Sequence, residues 1–123
     1  ERRRRVKASQ AQESRVAAIG DGKRVSGSGS KPHARGDARW DEYGLLIEAK
    51  RTDKGSISIK GEVLDKITRE AMANGKFPAV AIEVTTEFAA RDWILLPATL
   101  VRRILDEAME NLTRKDIMKK LSE

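Results

Sequence analysis

Asp37, Glu48 and Lys50 are the residues whose types and spacing could do chemistry together. Between the two acids run Ala38-Arg39-Trp40, then Asp41-Glu42-Tyr43-Gly44, then the apolar string Leu45-Leu46-Ile47. That order reads as strand, turn, strand. A simple hairpin turning at 41–44 sets Trp40 opposite Leu45, Arg39 opposite Leu46 and Asp37 opposite Glu48, with facing Cβ atoms roughly 4.5–5.5 Å apart. Side chains alternate between faces, so Glu48 and Lys50 share the face of Leu46, while Leu45, Ile47 and Ala49 share the other. Two facing carboxylates repel each other unless positive charge lies between them. A divalent cation meets that need, with Lys50 as a second positive group; a surface salt-bridge pair is the plainer alternative. The string Glu48-Ala49-Lys50 says little by itself, because Asp21-Gly22-Lys23 has the same spacing. There, however, Asp-Gly belongs to a turn and no apolar run precedes it.

The elements that must position these residues can be read along the chain. Residues 6–19 lack Gly and Pro and carry Val16, Ala17 and Ile19, a helix stopped by Gly20-Asp21-Gly22. Residues 25–32 form a loop of small residues. Strands are expected at 36–41 and 44–50, followed by a polar loop over 51–58. Val63, Leu64, Ile67 and Ala71 have helical spacing over 62–74, with Asn74-Gly75 as a stop. Ala79-Val80-Ala81-Ile82-Glu83-Val84 fits a buried strand, and Trp93-Ile94-Leu95-Leu96 a further short one. Leu100, Val101, Ile104, Leu105 and Ala108 mark a helix over 98–111, an apolar stripe suited to the core or to a dimer surface. Thr113 and Asp116 fit the start of a last helix. Trp40, Tyr43 and Trp93 read as packing residues. The order predicts an α/β domain with a mixed sheet flanked by helices.

With 123 residues the chain is long enough for one core and one domain. It has no cysteine, which excludes disulfides, thiolate metal sites and cysteine nucleophiles and is compatible with a reducing cytoplasm. A single histidine, His33, argues against a histidine-rich zinc site and reads as a loop residue or phosphate contact. No run approaches the roughly 18 apolar residues of a membrane span, so no membrane partner is expected. Because the chain opens on Glu1 and not on methionine, we expect residues to precede it. Charge is uneven: residues 1–35 hold 10 Lys and Arg against 3 acids, a balance of +7, while residues 36–123 hold 15 against 16, a balance of −1. Arg2, Arg3, Arg4, Arg5 and Lys7 lead the basic segment, and Lys31 and Arg35 close it. Such a block suits contact with a phosphate backbone or a solvated tail; beside a metal site, nucleic acid is favoured.

The chain resembles the PD-(D/E)XK nuclease superfamily, and within it the small Holliday junction resolvases of archaeal and phage type. The likeness is carried by Glu13 on the first helix, the Ser/Gly-rich loop leading into Gly36-Asp37, Glu48-Ala49-Lys50, and Lys66 on the following helix. The Gly75-Lys76-Phe77-Pro78 turn also fits, and coverage runs from about residue 13 to 97. Gly36 stands where the superfamily pattern has Pro, a variant found in the resolvase branch. The resemblance implies a restriction-endonuclease-like core and a bound Mg²⁺, with Mn²⁺ as a substitute. The ion would be held by Asp37, Glu48, the main-chain carbonyl of Ala49 and Glu13. Lys50 would act on the attacking water, so that Asp37, Glu48, Lys50 and Glu13 form the catalytic set. Ser30 and Lys66 would contact phosphate.

The expected activity is metal-dependent cleavage of phosphodiester bonds in branched DNA by a homodimer, since two symmetric cuts need two sites and this domain supplies one. Residues 1–12 would be a basic arm leading into the first helix, and 98–123 the C-terminal helices of a single nuclease domain. A cytoplasmic place in a bacterial, archaeal or phage-infected cell follows from the same resemblance. Alternatives are another nuclease of the superfamily, acting on linear or flapped DNA in repair or restriction, and a DNA-binding module without catalysis.

Overall fold

The computed structural model describes residues 2–25, 36–89, 91–111 and 114–123. Its centre is a hairpin, β2 (Ala38–Trp40) and β3 (Leu45–Arg51), joined by a 3₁₀ turn at Asp41–Tyr43. Gly44 closes the turn at φ 66°, a left-handed conformation that glycine adopts without a Cβ penalty. Trp40 pairs with Leu45, Arg39 with Leu46 and Ala38 with Ile47, the register expected from the sequence. The ladder itself ends one residue short of Asp37. There the Asp37 N–H donates to the Ile47 carbonyl, and the Asp37 side chain takes over the next bond.

α2 (Gly61–Ala73) carries the chain across one face of the sheet, and β4 (Phe77–Glu83) then runs parallel to β3. β5 (Asp92–Leu95) adds antiparallel to β4, and β1 (Lys23–Arg24) antiparallel to β2. The result is an α/β fold with a five-stranded mixed sheet ordered β1-β2-β3-β4-β5. β1 is a strand not expected from the sequence, since two residues are too short to show a period.

Alternation along β3 and β4 divides the interior. Leu45, Ile47, Ala79 and Ala81 face α1 (Arg2–Ile19) through Val16 and Ala17. Leu46 and Val80 face α2 through Ile67 and Ala71. Burying a side chain such as Ile47 or Ile67, both essentially inaccessible to solvent, contributes about 1.5–3 kcal/mol. α1 begins at Arg2, earlier than the expected helix, because a run of arginines is a good helix former yet shows no apolar periodicity. Arg2–Arg5 therefore form the first turn of the helix. α3 (Ala98–Asn111) and α4 (Arg114–Leu121) complete the order, and none of their described residues is buried; of the C-terminal stripe, Leu100 packs against the core while Val101, Ile104 and Leu105 are exposed. Trp93 is likewise half exposed, whereas Trp40 packs on the core. Among the described residues no helix is long and apolar enough to cross a membrane.

Candidate metal centre

The hairpin brings Asp37 to the side of Glu48 at the end of the β2–β3 ladder. Asp37 Oδ2 accepts the Ala49 N–H at 2.8 Å, which locks the aspartate to the strand that carries its partner. The N–H and C=O of one strand residue point to the same neighbour. The Ala49 carbonyl therefore faces the β2 edge of the strand, the edge on which Asp37 lies.

Glu48 is buried to 8% exposure, and its pKa is pushed up to about 7. Burial is the main cause, followed by the Asp37 charge; a hydrogen bond shared with Asp37 adds to it. Lys66 and Lys50 oppose the shift, their ammonium groups lying 3.8 and 3.9 Å from Glu48 Oε1. Lys50 follows Glu48 on the same face of β3, and Lys66 descends from α2, which packs over that face. The fold thus brings Asp37, Glu48, Lys50 and Lys66 together.

Glu13 arrives from the other side. α1 covers the opposite face of the sheet, and burial together with the Asp37 charge raises the Glu13 pKa, while Arg24 lowers it from 3.3 Å. Asp37 is the common neighbour of the two glutamates, one from each face. Among the described residues no three carboxylate or imidazole groups form a ready-made metal cage.

Three residues at this end of the sheet went unread in the sequence. Gln12, fully buried on α1, donates through Nε2 to the Lys50 carbonyl at 2.8 Å and so docks the helix of Glu13 onto the strand of Glu48. A single glutamine in a charged helix gives no signal for this. Arg24, on the unexpected β1, pairs with Glu13. Glu70 accepts the Gly36 N–H at 2.9 Å and lies 3.8 Å from Lys66, so it fixes the approach to Asp37. The i,i+4 spacing of Lys66 and Glu70 was the available clue.

Arg2, Arg3, Arg4, Arg5 and Lys7 are exposed on the first turns of α1. Arg5 reaches a cleft of about 430 Å³ that also holds Ser9, Gln10, Glu13, Arg24 and Asp37, so the basic helix opens onto the acidic centre. Ser30, Lys31, His33 and Arg35 lie outside the described residues.

The donor set fits a hard divalent cation. Asp37, Glu48, Glu13 and the Ala49 carbonyl offer only oxygen, the ligand that Mg²⁺ prefers while it keeps several waters. Burial and the Asp37 charge make the ionised form of Glu48 costly, and the two lysines offset only part of that. No protein-family model, no curated protein and no solved structure matches this chain, so the assignment of the centre rests on its own geometry.

Proposed function

We propose that this chain is a Mg²⁺-dependent endonuclease with a restriction-endonuclease-like core, cleaving phosphodiester bonds in branched DNA such as a four-way junction. The observation that carries the reading is the Asp37–Glu48 pair, register-matched across a hairpin, with Lys50 and Lys66 against its buried member. The five-stranded mixed sheet, with α1 and α2 on opposite faces delivering Glu13 and Lys66, is consistent with it.

Asp37, Glu48 and the Ala49 carbonyl would hold the ion, with Glu13 completing its sphere. Bound there, a divalent cation polarises phosphate and lowers the pKa of water. Lys50, on the Glu48 face, orients the attacking water and offers charge to the phosphorane-like transition state. Lys66 adds a second ammonium on that side. The exposed arginines of α1 give the backbone of the substrate a positive surface beside the cleft.

A labelled four-way junction and a duplex of equal length, each with Mg²⁺ and with chelator, test the proposal. Junction cutting that needs the metal is expected. Asp37→Asn and Glu48→Gln should each lower the rate by at least ~100-fold while DNA affinity stays within a few-fold. Undiminished cutting by either variant sinks the metal assignment. A preference for linear duplex replaces junctions with linear DNA as the substrate.

A further inference from the structure

α3 has an apolar face that the rest of the chain leaves open. Its inner edge is seated: Leu100 packs against the core beside Trp40, Ile94 and Leu96. Beyond it a groove of about 780 Å³ opens between Ile104 and Ala108 of the helix and Tyr43, Leu45 and Phe77 of the sheet end. On the outer side Val101, Leu105 and Met109 follow one another at i,i+4 spacing, 37%, 51% and 52% exposed. A helix of this length is marginal alone and draws its stability from packing. A continuous exposed stripe of this kind marks a covered surface.

The charges of α3 indicate what covers it. Arg102 and Arg103 lie in its N-terminal half, and Asp106, Glu107 and Glu110 in its C-terminal half. Glu110 in the last turn opposes the helix dipole, and the Arg102–Asp106 pair at 3.1 Å runs in the less favourable order. For an isolated helix this is the wrong way round. For two antiparallel copies it is complementary, since the basic half of each meets the acidic half of the other.

We infer that a second copy of this chain packs on α3, the two helices antiparallel about a two-fold axis at Leu105. Leu105 meets its own counterpart. Val101 and Met109, each four residues from the axis, meet each other at about 6 Å to either side. Arg102 of each copy comes within reach of Asp106 of the other, an isologous contact in which each pair occurs twice. The apolar stripe and its acidic half are unsuited to DNA. The groove is lined from the Leu45 and Phe77 start of the strands and shares no lining residue with the cleft of Glu13 and Asp37, so pairing through α3 uses a surface separate from the metal centre. The inference supplies a face for the homodimer that the nuclease reading expects, and because its tests read self-association and not cleavage, the two can fail separately.

Light scattering on the full chain at ~100 µM should give twice the 13.7 kDa monomer mass, and Leu105→Asp should halve it without loss of helical circular dichroism. Because the chain has no cysteine, Leu105→Cys supplies a single thiol on the axis and should oxidise to a covalent dimer. Met72→Cys, exposed on α2 across the sheet, should not. Arg102→Glu and Asp106→Arg should each weaken self-association by about tenfold, and mixing the two chains should restore it as a heterodimer. A monomeric wild type, or a dimer that survives Leu105→Asp with no cross-link at position 105, overturns the inference.

Discussion

Glu48 carries a charge conflict that sets how the molecule responds to pH. Its folded pKa of about 7 lies above the ordinary carboxylate value of 4.5, so the folded protein holds a proton that the unfolded chain has released. A raised pKa contributes stability that is fully present below 4.5 and is lost as pH rises through about 7. Without metal, the protein should therefore be less stable at pH 8 than at pH 5 from this source, by on the order of 2 kcal/mol. Glu48→Gln should raise the melting temperature at pH 8 and leave it nearly unchanged at pH 5. Mg²⁺ should stabilise the wild type at pH 8 and lose that effect below about pH 6, as the proton displaces it. Melting curves at the two pH values, with and without Mg²⁺, check both; a variant with no gain at pH 8 refutes the conflict. Glu83 works in the other direction. Burial would raise its pKa, but hydrogen bonds from Arg91, Arg51 and Arg15 outweigh it and lower the value. Its stabilising contribution is present above 4.5 and disappears as pH falls further.

Among the elements, those fixed by local pattern were legible. Leu45-Leu46-Ile47 and the Asp41–Gly44 turn dictate the hairpin, and the register followed residue for residue to Ala38. Val63, Ile67 and Ala71 marked α2. The remainder depended on contacts distant in sequence. β1 exists only because β2 offers an edge to pair with. Gln12 is a docking residue only because α1 lies across the ends of β3 and β4, and Arg24 is a site residue only because β1 passes Glu13. The close seat of α1 is itself long-range. Trp40 Nε1 donates to the Val16 carbonyl at 2.8 Å, and a Cβ on Gly20 would lie 2.3 Å from the Trp40 ring. Gln12→Ala should cost about 1–3 kcal/mol, since it leaves the Lys50 carbonyl without that donor. It should also lower cleavage more than its stability loss explains, because Glu13 is then held less firmly against Asp37. Denaturant unfolding set beside single-turnover rates separates the two effects. Equal activity at full folding would make Gln12 a packing residue alone.

At the scale of the whole molecule, charge is segregated between one helix and the rest. The basic excess of residues 1–35 is led by four consecutive arginines, and the structure winds these around the first turn of α1 so that they spread over its circumference. Not all four can therefore face one DNA strand. Replacing Arg2–Arg5 with glutamine should weaken DNA binding and reduce the slope of log affinity against log salt by about two to three, less than the ~3.6 of four simultaneous phosphate contacts. Binding titrations over 50–300 mM salt measure the slope, and an unchanged one returns these arginines to a solvated helix end.

The hairpin that sets Asp37 beside Glu48 also has a consequence in time. Its two acids belong to one short contiguous stretch, and forming a hairpin takes only ~1–10 μs. Glu13, Lys66 and the strand β4 must come from much farther along the chain. The repelling carboxylates can thus meet while the protein is still assembling, before α2 brings Lys66 over them. Their repulsion is then an obstacle on the route to the fold as well as a strain within it, and a cation arriving early would ease both.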